Sequence, residues 1–104
     1  MISGGEIVQQ SLPDSHVVKT LNIINHAHMV RPMYEDGTPS MFVCGNNESA
    51  KQQVAEILKK IGWKDITDIG DITKSRLLEP LCLLWVSYGM VNSTWDHAFS
   101  ILKK

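Results

Sequence analysis

Lys19, Thr20, Asn22 and Ile24 lie along and just beyond one short apolar run, Val17-Val18-Lys19-Thr20-Leu21-Asn22. Their side chains offer an ammonium, a hydroxyl, an amide and a branched apolar surface. An amide both donates and accepts, so Asn22 suits a carboxamide or a ribose hydroxyl. In doubly wound sheets ligands lie outside the carboxyl ends of strands, which is where the run ends on Asn22. An Asn there also stabilises the turn that follows a strand, and both readings stand. Lys19, nearer the middle of the run, can approach a phosphate or a carboxylate. A lysine there serves equally as a solvated strand face or as an edge residue that discourages pairing. Thr20 and Ile24 flank the same expected crevice.

Other candidates are thinner. His26 and His28 have the i, i+2 spacing of two metal ligands on an extended segment, but no third ligand is in register, so no metal site is expected. His16 and His97 stand alone and read as solvent-facing. Gly45-Asn46-Asn47 opens a helix whose N–H groups can hold an anion, although plain helix capping is the commoner use of such residues. Cys44 sits in an apolar strand run and reads as a small core residue. Arg76 and Glu79, three apart, are spaced to pair on one helix. No G-x-G-x-x-G or other Gly-rich phosphate loop occurs anywhere in the sequence.

The elements that would position these residues alternate. A short helix is expected over residues 5–11, with Ile7 and Val8 as its apolar side, stopped at Pro13. His16 to Ile24 reads as a strand running into a turn. One helical turn fits 25–29, and Glu35-Asp36-Gly37-Thr38-Pro39 is a loop. Met41 to Cys44 is a buried-type strand. A helix capped by Asn46 or Asn47 follows, with Ala50, Val54, Ile57, Leu58 and Ile61 on one face and Lys51 elsewhere, ending at Gly62. A strand spans Asp65 to Ile69. Asp71 opens a helix bearing Leu77, Leu78, Leu81, Leu84, Trp85 and Tyr88. Ser93-Thr94-Trp95-Asp96 resembles a capping box for a last helix ending at Lys103 and Lys104. The pattern is that of an α/β sheet of about three strands flanked by helices. The second and third strands, joined by one helix, should be parallel. The direction of the first is open, and an edge position for it would invite another strand.

Composition limits the partners. The chain has 104 residues, 43% of them hydrophobic, and a formal net charge of -1, which fits one small folded domain without the basic stripe that nucleic acid requires. Two cysteines make no disulfide framework, and with no signal-peptide layout a reducing cytoplasm is the expected location. The most apolar stretch, Leu77 to Val91, contains Glu79 and Pro80 and is too short to span a membrane, so no membrane partner is expected.

Six motifs in order carry a resemblance. They are the start Ser3-Gly4-Gly5-Glu6; Leu12-Pro13 leading to Val17-Val18-Lys19 and Asn22; and Met41-Phe42-Val43-Cys44-Gly45-Asn46. They continue with a helix ending Ile61-Gly62, the strand end Asp68-Ile69-Gly70, and Arg76-x-x-Glu79-Pro80. Together they resemble the C-terminal half of the dinucleotide-binding domain of the coenzyme F420-dependent NADP oxidoreductases and their bacterial relatives. The oxidoreductase domain of the STEAP metalloreductases is similar around Cys44-Gly45-Asn46. The resemblance implies a Rossmann-type fold, NADP as nucleotide, and hydride transfer to a deazaflavin (F420) or flavin partner. It makes Lys19, Thr20, Asn22 and Ile24 cofactor-binding candidates, with no catalytic acid or base. In that family the phosphate-binding strand and Gly-rich turn precede the Ser-Gly start. The expectation is therefore one partial Rossmann-like domain over 1–104, lacking the N-terminal phosphate-binding half. It would be inactive alone and would bind NADP only when completed by that half. Partners would be a second copy, giving a homodimer, or a complementing N-terminal half. The other reading is a non-catalytic oligomerisation or interaction module.

Overall fold

The computed structural model describes residues 2–103. The elements are α1 (Gly4–Ser11), β1 (Val18–Lys19), a 3-10 turn at His26–His28, β2 (Ser40–Gly45), α2 (Glu48–Lys60), β3 (Asp65–Asp68), a 3-10 turn at Ile72–Lys74 and α3 (Ser75–Asn92). The three strands form one sheet in the order β1-β2-β3. As expected for a one-helix crossover, β2 and β3 are parallel, with Ser40 opposite Asp65 and Val43 opposite Asp68. β1 lies at an edge and runs antiparallel to β2, pairing Val18 with Gly45 and Lys19 with Cys44.

The alternation of β2 divides the core. Met41 and Val43 enter a cluster with Leu58 of α2, Trp63, Ile23, Ile24 and Trp85. Cys44 enters a smaller one with Ile72 and Leu78 of α3, and Phe42 and Leu81 pack against both. Period-two side chains thus meet α2 and Trp85 on one face, and Ile72 with Leu78 on the other, so both faces of β2 are covered. Asn47 caps α2 through a bond from the Ala50 N–H. Beyond its end Gly62 takes φ +111°, and a side chain there would meet Arg31 Cα at 2.8 Å.

Four local expectations are corrected. The first strand pairs over two residues only, because Leu21 adopts a left-handed backbone with φ 59° and turns the chain out of the sheet. In α1 the apolar Ile7 and Val8 are exposed while Gly5 and Glu6 are buried, because the buried side of the helix is a polar seam against α3. In α2 Lys51 is buried at 4% exposure and Ile57 is exposed. The expected last helix does not form. Ser93 ends α3 in a left-handed conformation, and the Thr94 hydroxyl accepts the Asp96 N–H. The following residues run as an extended tail along the start of β2. There Ser40 N donates to Phe99 O at 2.8 Å, Ile101 N donates to Ser40 Oγ at 2.8 Å, and Ser40 Oγ donates to Asp65 at 2.5 Å. Among the described residues no helix is long and apolar enough to cross a membrane.

Candidate functional site

The left-handed turn at Leu21 costs about 1 kcal/mol or more for a residue with a Cβ, and it decides where the candidate residues go. Thr20 Oγ1 donates to Phe42 O at 2.8 Å, tying the strand end to β2. Asn22 points across to α3, its Nδ2 donating to Leu78 O at 2.6 Å, while its Oδ1 is buried without a partner. The turn-stabilising alternative is thereby replaced by a strand-to-helix tie. Ile24 is buried in the larger core cluster and also lines a cavity of about 360 Å³ with Asn25, His26, Trp85 and Trp95.

Lys19 is a quarter exposed, with Nζ 3.6 Å from Glu79 Oε2. Glu79 also accepts the first amides of α1, from Gly4 N at 3.0 Å and Gly5 N at 3.2 Å. Its carboxyl is held below the usual range, chiefly by the Gly4 N–H, with Gly5 and Lys19 adding to it. The expected Arg76–Glu79 pair is replaced by a longer-range one. Arg76 grips Glu6 with a two-pronged contact, Nε to Oε1 at 2.5 Å and Nη2 to Oε2 at 2.8 Å. That fork pulls the Glu6 carboxyl down to about 2, against the opposing effect of burial. Three residues apart on α3, Arg76 and Glu79 reach α1 at two separate points, which the i, i+3 rule alone would not anticipate.

Because β1 runs opposite to β2 and pairs only with Cys44 and Gly45, the chain beyond it heads back toward the amino end of β2, where the tail also passes. Trp85 and His97 are locked there by a reciprocal pair of bonds. Trp85 Nε1 donates to His97 O at 3.0 Å, and His97 Nε2 donates to Trp85 O at 2.7 Å. The rings stack at 4.5 Å, and Trp95 approaches Trp85 at 5.6 Å. Since a carbonyl only accepts, His97 Nε2 carries a proton, and Nδ1 is buried without a partner. His97 was expected in solvent and is instead packed into this cluster. His28 meets Asp96 at 2.8 Å, and no group of three or more metal-type ligands forms among the described residues.

At the other end of β2 the polar groups are mutually satisfied. Asn46 Oδ1 accepts the Ile72 N–H at 3.0 Å. Lys51 reaches Asp68 at 2.9 Å, Glu48 at 2.9 Å and Gly70 O at 3.2 Å. Its ammonium is held above its ordinary value by the bond to Asp68 and then by Glu48. Gly45-Asn46-Asn47 therefore performs capping. Cys44 is fully buried, which pushes its thiol up.

The structure thus ties Asn22 to α3 at Leu78, packs Ile24 beside Trp85 of the same helix and pairs Lys19 with Glu79. Sequence reasoning missed the Trp85–Trp95–His97 cluster, whose only signal was two tryptophans and a histidine within a dozen residues. It also missed the burial of Lys51, signalled only by Glu48 one turn before it.

No family model matches the chain. Individual relatives do. Over 88 residues it is 31% identical to an F420-dependent NADP reductase of Methanocaldococcus jannaschii, covering 85% of this chain and 39% of that protein. Over 81 residues it is 31% identical to the human metalloreductase STEAP2, covering 78% of this chain and 16% of that protein. A crystal structure of a proposed F420-dependent NADP reductase from Arthrobacter sp. FB24 superposes with a TM-score of 0.90 at 40% identity, over 95% of this chain and 45% of that one. The chain spans less than half the length of each of these proteins.

A three-stranded sheet flanked by helices, superposing this closely on part of a reductase structure, is a Rossmann-like unit. The chain is homologous to part of the F420-dependent NADP reductase of Methanocaldococcus jannaschii and to part of the STEAP2 metalloreductase.

Proposed function

We propose that this chain forms one wall of an NADP site in an oxidoreductase of the F420-dependent reductase type, which passes a hydride between NADP(H) and a deazaflavin or flavin partner. The observation that carries this reading is Asn22 Oδ1. It is a buried acceptor with no donor, three residues beyond the end of β1, and such a group is costly unless something supplies an N–H or O–H. A carboxamide or a ribose hydroxyl does so, and the chemistry of the donor set fits. Two residues on, Ile24 opens onto the cavity walled by Trp85 and Trp95, which offers an apolar face to a flat ring. Bound NADP and F420 would supply the hydride chemistry themselves. The residues of this chain contribute position. Asn22 would hold an amide or hydroxyl, Ile24 and the tryptophans would exclude water, and Thr20 would fix the strand end. Lys19 would place a positive charge nearby.

The sequence contains no Gly-rich phosphate cradle. We assign that part to a complementing nucleotide-binding half, equivalent to the further length of the relatives. On this reading the 104 residues are a partial domain that is inactive and binds nucleotide poorly alone, in a reducing, cytoplasmic setting suited to two free cysteines. The test is an NADPH fluorescence titration of the chain with and without the remaining portion of the Arthrobacter relative, added as a separate polypeptide. The expected result is no saturation at millimolar NADPH for the chain alone and micromolar binding after complementation. Micromolar binding by the chain alone would refute the missing-half reading. An absence of binding in a stable complex of the two would refute the nucleotide wall.

A further inference from the structure

Trp95 rests in a gap in α3. Gly89, buried near the end of that helix, has a helical backbone. No turn demands a glycine there, and glycine is disfavoured inside helices. A Cβ built on it would stand 2.5 Å from Trp95 Cζ3, 2.6 Å from Trp95 Cε3 and 2.8 Å from Thr94 O. Carbon does not pack that closely, so any other residue at 89 pushes the Thr94–Trp95 corner off the helix. Three bonds hold that corner down. Thr94 N donates to Gly89 O at 3.1 Å, Asn25 Nδ2 donates to Trp95 O at 3.1 Å, and Asp96 meets His28 at 2.8 Å. The Trp95 ring then stands 5.6 Å from Trp85, tilted by 41°. With Ile24, Asn25 and His26 the two indoles wall the cavity of about 360 Å³. No Lys, Arg, Asp or Glu lines it, so it suits an uncharged ring and not a phosphate. Trp95 remains exposed, with indole surface free for stacking.

We propose that Gly89 is a positioning residue: its missing side chain seats Trp95 as the second aromatic wall of this cavity, and an uncharged flat heteroaromatic ring stacks on that wall. This rests on the cavity being the ring site of the NADP wall, and adds the residue that builds the site. Gly89 touches no ligand and acts through Trp95, which does.

The test uses the full chain alone and riboflavin, an uncharged flat ring without a phosphate, so no phosphate-binding half is needed. Placement of Trp95 is read without ligand, from the exciton couplet that two tilted indoles this close give in far-UV circular dichroism. Wild type should show the couplet. Trp95→Leu and Gly89→Ala should both lose it while staying folded by urea unfolding. Binding is read by titrating the chain into trace riboflavin and following the quenching of its fluorescence. Half-quenching by wild type should fall below about 1 mM. Trp95→Leu and Gly89→Ala should each weaken it roughly 3- to 10-fold, the worth of one aromatic pair. The double variant should bind like Trp95→Leu, since a residue that acts through Trp95 has nothing to place once that ring is gone. A couplet retained in Gly89→Ala, or a Gly89→Ala chain that does not fold, overturns the positioning role. So does a double variant weakened by the full product of the two factors, the mark of a merely structural effect. Riboflavin that wild type does not quench, or that Trp95→Leu quenches equally, overturns the ring wall. The NADPH titration decides the nucleotide reading separately, whether or not riboflavin binds.

Discussion

Asn22 can be made to report separately on stability and on binding. In Asn22→Ala the Nδ2 bond to Leu78 O is lost, which costs about 1 kcal/mol for a neutral pair. Leu78 O keeps its own helical donor in α3, so no new orphan is created there. The same substitution removes the partnerless Oδ1, whose burial costs about 1–3 kcal/mol. The two nearly cancel, and the net change should lie within about 1 kcal/mol of wild type. Asn22→Asp has the same shape and the opposite outcome. It puts an unpaired carboxylate against the Leu78 carbonyl 2.6 Å away, so at pH 7 it should lose about 3 kcal/mol or more. Buried, that new carboxyl has a raised pKa, so its penalty shrinks as the pH falls and the protonated acid donates to Leu78 O. Urea unfolding followed at 222 nm, at pH 7 and pH 4.5, measures all of these. A loss above about 2.5 kcal/mol in Asn22→Ala would mean that Oδ1 has a partner after all, and the reasoning from an idle acceptor would fail. If stability holds but the complemented protein no longer binds NADPH, the residue serves the ligand rather than the fold.

Two further outcomes are expected. Ser93, exposed and left-handed at φ 52°, carries about 1–2 kcal/mol of strain that Ser93→Gly relieves, less about 0.5–1 kcal/mol of added chain entropy. The variant should gain about 0.5–1 kcal/mol, a rise of a few degrees in Tm by calorimetry, and an unchanged or lower Tm would show that Ser93 is not strained. Glu6, at about 2 in the folded chain against an ordinary 4.5, contributes stability that is fully present above pH 4.5 and lost as the pH falls toward 2. Arg76→Gln should flatten the fall in urea midpoint across that window, and identical slopes for the two proteins would refute the role of the fork.

What the sequence disclosed was whatever repeats locally. The helix at 48–60 followed from its apolar spacing, its start from Asn46 or Asn47, of which Asn47 caps it, and the parallel pairing of β2 with β3 from a single intervening helix. What it hid depended on residues far apart. The capping pattern at Ser93-Thr94-Trp95-Asp96 is valid chemistry for a helix start, yet Ser93 went to ending α3, and the tail satisfied its backbone on Ser40 instead. Arg76 had a partner one turn away and took Glu6, seventy positions distant, because α1 lies on α3 there. The first strand broke early at Leu21, a residue type with no turn signal at all. At the site, Asn22 reads in the sequence as a polar strand end, but the strand stops at Lys19 and Asn22 lies three residues beyond it, on the turn toward α3. The aromatic wall was not legible, since its members meet only when the tail folds back.

Ser40 gathers three strangers at a single residue: the opening of one strand, the opening of its parallel neighbour, and the tail. Whatever loosens the tail therefore tugs on the first rung of the ladder. A fluorophore placed near Ser100 would sense strain in the sheet long before the helices let go, and a bulky fusion hung just beyond it would be felt on the far side of the molecule's seam between β2 and β3.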